Sequence, residues 1–215
     1  MSTYIDIAKR IAEVILSPDS VIGLTYGVLS VPLDLGYLAY SYFDTDSQFI
    51  RETERIRMVN AIRFGILQND NFVKTIETVL DKFNSYVPET RQNGIYANIG
   101  FSIIGRAVAN SIVSRKIAVS IAQRTSLMIT LRGGIIGNIL LAGGMAERSI
   151  YTSQRLESSD PEIYYALRQH DYDLLFFLVE PALEPFIEAI KVRRTQGSTV
   201  FNQILDIIEN EVSNG

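Results

Sequence analysis

His170 is the only histidine in 215 residues, and it stands beside Asp171 and Asp173. An imidazole next to carboxylates has the composition of a general acid–base site; in a charged turn it is more often an exposed side chain. Asp44 and Asp46 have the spacing that opens a calcium loop, but the remaining ligands of that pattern are missing. The chain has no cysteine. Disulfides, thiolate metal sites, iron–sulfur clusters and cysteine nucleophiles are therefore excluded, and one histidine cannot build a two-histidine metal site. Nucleophile-elbow, phosphate-loop, dinucleotide and zinc-protease motifs are all absent from the sequence. This inventory predicts a protein that is not an enzyme, with no catalytic residue, metal or cofactor.

The more informative polar residues lie on apolar segments. Gly94, Asn98, Ser102, Arg106, Asn110 and Ser114 recur every fourth residue, which places them in one small, polar stripe on a helix. Gly134, Asn138, Ala142 and Ala146 form a second row, beside the Gly133 and Gly137 pair; Gly23 and Gly27 repeat that four-residue spacing. Small residues let helices approach closely in lipid, where apolar burial no longer drives association. A polar stripe there could line a watery path, while in an ordinary core the same stripe would serve close packing. Glu180, Glu184 and Glu188 also share a face, readable as a proton-sensitive amphipathic helix or as a solvated surface. Pro181 and Pro185 in that helix are expected to kink or break it.

The elements that position these residues read as helical throughout. Phe72, Val73, Ile76, Val79, Leu80 and Phe83 follow one helical face, as do Phe201, Ile204, Leu205, Ile208 and Val212. Ile56, Val59, Ile62 and Ile66 predict a third buried stripe, with Arg51, Arg55 and Arg63 off it. Ser17-Pro18-Asp19 and Asp160-Pro161-Glu162 are helix-start patterns, and Gly197-Ser198 marks one helix ending before another. Loops are expected at 44–47, 69–71, 87–93 and 152–160. The prediction is a single all-α domain over 1–215, a compact bundle of about eight or nine helices around a central apolar, Gly-rich helical hairpin. The N-terminal MSTYIDIAKRIAEVIL contains Asp6 and Glu13 and lacks a basic leader and a cleavage site. It reads as a capped amphipathic helix rather than a signal peptide, so a cytoplasmic origin is expected, with any export left to a dedicated machine.

Charge is segregated along the chain. Residues 1–90 carry a net −4, residues 91–146 a net +6, and residues 147–215 a net −6. From Glu89 to Glu147 there is no carboxylate, and the same stretch holds eight of the 14 glycines. An overall charge of −4 argues against a nucleic-acid partner. Segments 21–43, 94–114 and 125–146 contain one charge each (Asp34, Arg106 and Arg132) and are long enough to span a bilayer. One such charge costs about 2.5–3.5 kcal/mol on insertion, which makes all three marginal spans.

This layout resembles the pore-forming domains of colicins, helical bundles that hide an apolar hairpin until they reach a membrane. It is also similar to the small membrane-disrupting effectors of type VI secretion, which lack signal peptides. Here the candidate hairpin is 94–114 with 125–146, followed by some 70 residues of acidic helices, whereas the colicin hairpin lies near the C-terminus. The resemblance implies an antibacterial, membrane-inserting protein. Its expected partners are an anionic lipid membrane, a cognate immunity protein and a secretion apparatus or adaptor, with an oligomer possible in the membrane. The alternatives are a soluble helical interaction, regulatory or immunity protein, and a resident polytopic membrane protein.

Gly137→Leu separates lipid packing from core packing. Overpacking a soluble core costs about 1–3 kcal/mol, whereas a bulky residue between lipid-embedded helices holds them apart. Thermal unfolding measured beside vesicle leakage is expected to show the larger loss in leakage.

Overall fold

The computed structural model describes residues 3–17, 44, 46, 48–66, 68–97, 115–116, 119 and 135–215, and for 69, 93, 97 and 135–143 the backbone only. Eight α-helices and one short 3-10 turn make up the described bundle, and no strand occurs among the described residues. The helices are α1 (Tyr4–Leu16), α2 (Gln48–Arg63), α3 (Asn69–Tyr86), α4 (Glu89–Ala97), α5 (Ile135–Ser159), α6 (Pro161–Arg168), α7 (Phe176–Thr195) and α8 (Gly197–Asn214), with the turn at Tyr172–Leu174.

Local chemistry starts several of these helices as the sequence predicts. The Thr3 side chain accepts the backbone N–H of Asp6 at the head of α1. The Asp160 side chain accepts that of Ile163, with Pro161 at the first helical position of α6. Gly65 and Gly197 adopt left-handed φ values of 84° and 85°, closing α2 and separating α7 from α8. Ile66 N–H reaches back to Ala61 O across that first turn. Ser17-Pro18-Asp19, by contrast, lies outside the described residues apart from Ser17.

The core forms where α1, α3 and α8 pack around α7. Helix α7 buries Phe176, Phe177, Leu178, Val179, Ala182, Leu183, Phe186, Ala189 and Ile190. Phe83 of α3, fully buried, meets Phe186 and Phe201 edge-on at 5.2 and 5.8 Å between ring centres. All the apolar residues expected on the α3 and α8 faces are buried.

Three expectations are corrected. Pro181 and Pro185 do not break α7, which continues from Phe176 to Thr195. Each proline forfeits one backbone bond, and burial of this helix among its neighbours offsets that loss. Residues 152–160 are not a loop, because α5 continues to Ser159. The hydroxyl of Ser153 is engaged in a tertiary hydrogen bond rather than in a turn. The loops at 69–71 and 87–93 shrink likewise, since α3 begins at Asn69 and α4 at Glu89. The third correction concerns α2. Ile56, Val59 and Ile62 are exposed, and only Ile66 of that stripe is buried.

Phe83→Ala is expected to cost about 3–5 kcal/mol, read as a lowered denaturant midpoint without change of slope.

Candidate functional site

Two faces of α2 compete for the interior, and the charged one wins. Arg51, Glu54 and Ala61 share a helical face and are all buried. The partners for the charged pair come from elements remote in sequence.

At the N-terminal end of α2, Arg51 Nη1 donates to the Tyr151 hydroxyl at 2.6 Å, and that hydroxyl donates to Asp44 Oδ2 at 2.6 Å. Arg51 Nη1 also lies 2.9 Å from the same carboxylate. Arg55 Nε donates to Glu147 Oε1 at 2.7 Å, and the Glu147 side chain is only 2% exposed. Tyr151 and Glu147 both stand on α5.

One turn further along, Arg57 gathers three carboxylates. Its Nη1 donates to Asp171 at 2.7 Å and Asp173 at 2.8 Å, while Nη2 donates to Glu54 and Asp173, each at 2.5 Å. Arg168 of α6 donates to Glu54 Oε1 at 2.8 Å. Ser153 of α5 donates to Asp173 Oδ2 at 2.6 Å. Asp173 has no exposed surface at all. Asp171 reaches Arg57 from a left-handed φ of 61°, a conformation aspartate tolerates better than most residues.

Burial works against the charge on Arg57, yet hydrogen bonds from its guanidinium to Asp173, Asp171 and Glu54 hold its pKa above the ordinary arginine value. Burial alone would raise the Glu54 carboxyl, but the hydrogen bonds it accepts from Arg168 and Arg57 hold it below the usual carboxylate range. Arg57 and Glu54 are thus both held in their charged forms near neutral pH. Chemically the cluster works as a clamp: its acceptors face arginines and its donors are committed to carboxylates.

The expected site residues fall as follows. His170 is exposed, its ring 5.3 Å from that of Tyr172, and the neighbouring carboxylates turn to Arg57 rather than forming an acid–base pair with it. Asp44 is committed to Tyr151 and Arg51 instead of a metal loop, and no metal-ligand cluster occurs among the described residues. Gly94 is exposed on α4, where an added Cβ would meet the Glu209 side chain at an ordinary 3.5 Å. Close packing therefore does not require glycine there. Gly137 and Asn138 lie in α5 with only their backbone described. Gly23, Gly27, Asn98, Ser102, Arg106, Asn110, Arg132, Gly133 and Gly134 lie outside the described residues, as does most of the expected hairpin. Glu180 pairs with Arg155, Glu188 accepts Arg10 Nη2 at 2.6 Å, and Glu184 is exposed. No described helix is long and apolar enough to cross a membrane.

The arginine cluster on α2 was missed because an apolar stripe was given priority over the equally periodic face through Arg51, Glu54 and Ala61. A second cationic contact lies at the head of the acid-free stretch. Arg91 Nε donates to Glu209 at 2.9 Å, Nη1 donates to Asn202 O at 3.2 Å, and Nη2 reaches Asp206 of α8. Helix α4 is further held by Gln92 Nε2, which donates to Asn84 O and Val87 O.

The chain matches no protein-family model, and neither its sequence nor its fold finds a match among curated proteins or solved structures.

Glu54→Gln is expected to cost about 2 kcal/mol at neutral pH, because hydrogen bonds from two guanidinium groups to a carboxylate are weakened. A carboxyl held low when folded adds stability that is complete above its unfolded pKa and is lost as pH falls through the folded value. Urea unfolding of both proteins should therefore show a gap that is constant near neutrality and closes in acid.

Proposed function

We propose that this chain is a non-enzymatic, membrane-inserting antibacterial toxin that permeabilises or depolarises the target cell's inner membrane after delivery by a secretion system. The observation that carries this reading is the docking of Arg91. That residue opens the acid-free, glycine-rich stretch 91–146, and it is held by Asp206 and Glu209 of the acidic C-terminal helix. An acidic flank restraining the leading edge of a cationic, apolar stretch suits a bundle stored in one state and opened in another.

An anionic bilayer competes for the same cations. Each Lys or Arg brought near such a surface contributes about 1 kcal/mol, and salt screens the attraction. The acidic flanks are repelled by that surface, and they hold every carboxylate in the chain. Partial protonation in the acidic layer at an anionic surface removes repulsion without weakening the cationic stretch. Segments 21–43, 94–114 and 125–146 supply the marginal spans, and an oligomer could form in the membrane. Such a toxin requires a cognate immunity protein in its producer, and a secretion apparatus or adaptor to carry it from the producer's cytoplasm.

Leakage from vesicles is expected only with anionic lipid, increasing as pH is lowered toward about 5 and decreasing with salt. Expression directed to the periplasm should depolarise the inner membrane, while cytoplasmic expression is better tolerated. Leakage indifferent to lipid charge and salt removes the electrostatic mechanism. No leakage under any condition, with both expression routes harmless, overturns the toxin in favour of a soluble interaction, regulatory or immunity protein.

A further inference from the structure

We infer that the outward face of α2 is a bilayer-contact surface, with an anionic lipid interface as its partner and the helix axis lying in the membrane plane. The inference rests on the membrane-active reading above and names a surface that meets lipid. Phe49 is 82% exposed in the first turn of α2, and Phe64 is 89% exposed immediately beyond its last. Ile56 and Val59 lie between them at 61% and 57% exposure, with Ile50 and Ile62 also exposed. Isolated apolar residues on a surface need no explanation; Phe49, Ile56 and Val59 together on the outward side of one short helix, with Phe64 just past its end, do. The clamp enforces this exposure. Turning α2 to bury its apolar residues would withdraw Arg57 from Asp173, which no water reaches.

The size and composition of the face select the occupant. A 16-residue helix is about 24 Å long and about 10 Å wide, so it offers about 240 Å². Two copies meeting there would bury about 500 Å² in total, well below the roughly 1,200 Å² of a stable dimer. Partition into a lipid interface has no such threshold, because it grows with each apolar side chain immersed. A helix of 16 residues that carries several charges is too short and too polar to span a bilayer, which takes about 20 apolar residues, so it can only lie in the interface plane. Arg63 is exposed among these residues, within snorkelling reach of lipid phosphates, whereas Arg55 at their edge stays committed to Glu147. Glu52 is the one acid on this face and opposes Arg63. The tether is short as well, since residues 44–47 can separate α2 from segment 21–43 by no more than about 14 Å.

The chain contains no tryptophan, so single Phe49→Trp and Phe64→Trp variants of the full chain report on this face alone. Tyr165→Trp, at an exposed position on α6, is the control. With vesicles of phosphatidylcholine and phosphatidylglycerol, emission at positions 49 and 64 should shift to the blue and be quenched by lipids brominated at shallow depth, while position 165 stays in water. Ile56→Asp combined with Val59→Asp should weaken vesicle partition at least about tenfold, with little change in the lipid-free unfolding midpoint because both side chains are exposed. Leakage with both indoles still in water overturns this inference and leaves the toxin reading standing. Blue shifts without leakage support the contact surface and overturn the permeabilising toxin. A blue shift that grows with protein concentration in the absence of vesicles assigns the face to a second copy and overturns the lipid assignment.

Discussion

A carboxylate sealed from water must be compensated by whatever surrounds it, and Asp173 is sealed completely. Leaving such a charge unpaired would cost about 3–5 kcal/mol, a large share of the roughly 5–15 kcal/mol of net stability of a folded chain. Arg57 therefore has to arrive from α2 and Ser153 from α5, with Arg168 of α6 at 3.5 Å adding its charge. These groups converge on one turn, so the placements of three helices are linked through a single side chain. Register is set at the same time. Glu54 and Arg57 both engage the cluster from one helix, and sliding α2 by a residue would carry both off their partners. Buried ion pairs often contribute little net stability compared with apolar packing. What this one confines is the orientation of α2.

The rest of the bundle follows a different rule. Around α7, the contacts with α1, α3 and α8 are mainly apolar, with the Arg10–Glu188 pair at their margin, and such packing is tolerant of modest rearrangement provided volume is conserved. Phe83, Phe186 and Phe201 illustrate it: their edge-on geometry adds a small directional term to a large burial term. The two interiors lie along a common boundary. Ser149 of α5 donates to Leu174 O, so the turn that carries Asp173 is also held to the layer leading into α7.

This division explains which parts could be read from the sequence. The apolar faces of α3 and α8 were legible because period and burial agree there, and the start of α6 because Asp160-Pro161 caps it locally. The orientation of α2 was not legible. Its apolar and charged faces have the same period, and the deciding partners, Asp171 and Asp173, are more than a hundred residues away. The polar residues 152–160 were misread as a loop for a related reason, since a serine in a turn and one bonded across a helix interface look alike in one dimension. Clustering of Asp171 and Asp173 beside His170 marked the neighbourhood, and the histidine is exposed, as a lone histidine in a charged turn is expected to be. Both carboxylates accept hydrogen bonds from Arg57.

The charge segregation acquires a physical consequence from the contacts. Acids near the C-terminal end pair with bases from the N-terminal part: Glu188 with Arg10, Glu147 with Arg51 and Arg55, Asp171 and Asp173 with Arg57. The two acidic flanks therefore cohere through one another's minority charges. They contain 24 carboxylates against 14 basic side chains, so the flanks retain a negative surplus even if every base finds a partner. The stretch 91–146 carries six cations and no acid, and Arg91 is already drawn onto that surplus. Drawing Arg91 away from the carboxylates of Asp206 and Glu209 must be done against this attraction. The pairing of Arg91 with these carboxylates is offset only where another anionic surface offers that cation a comparable potential.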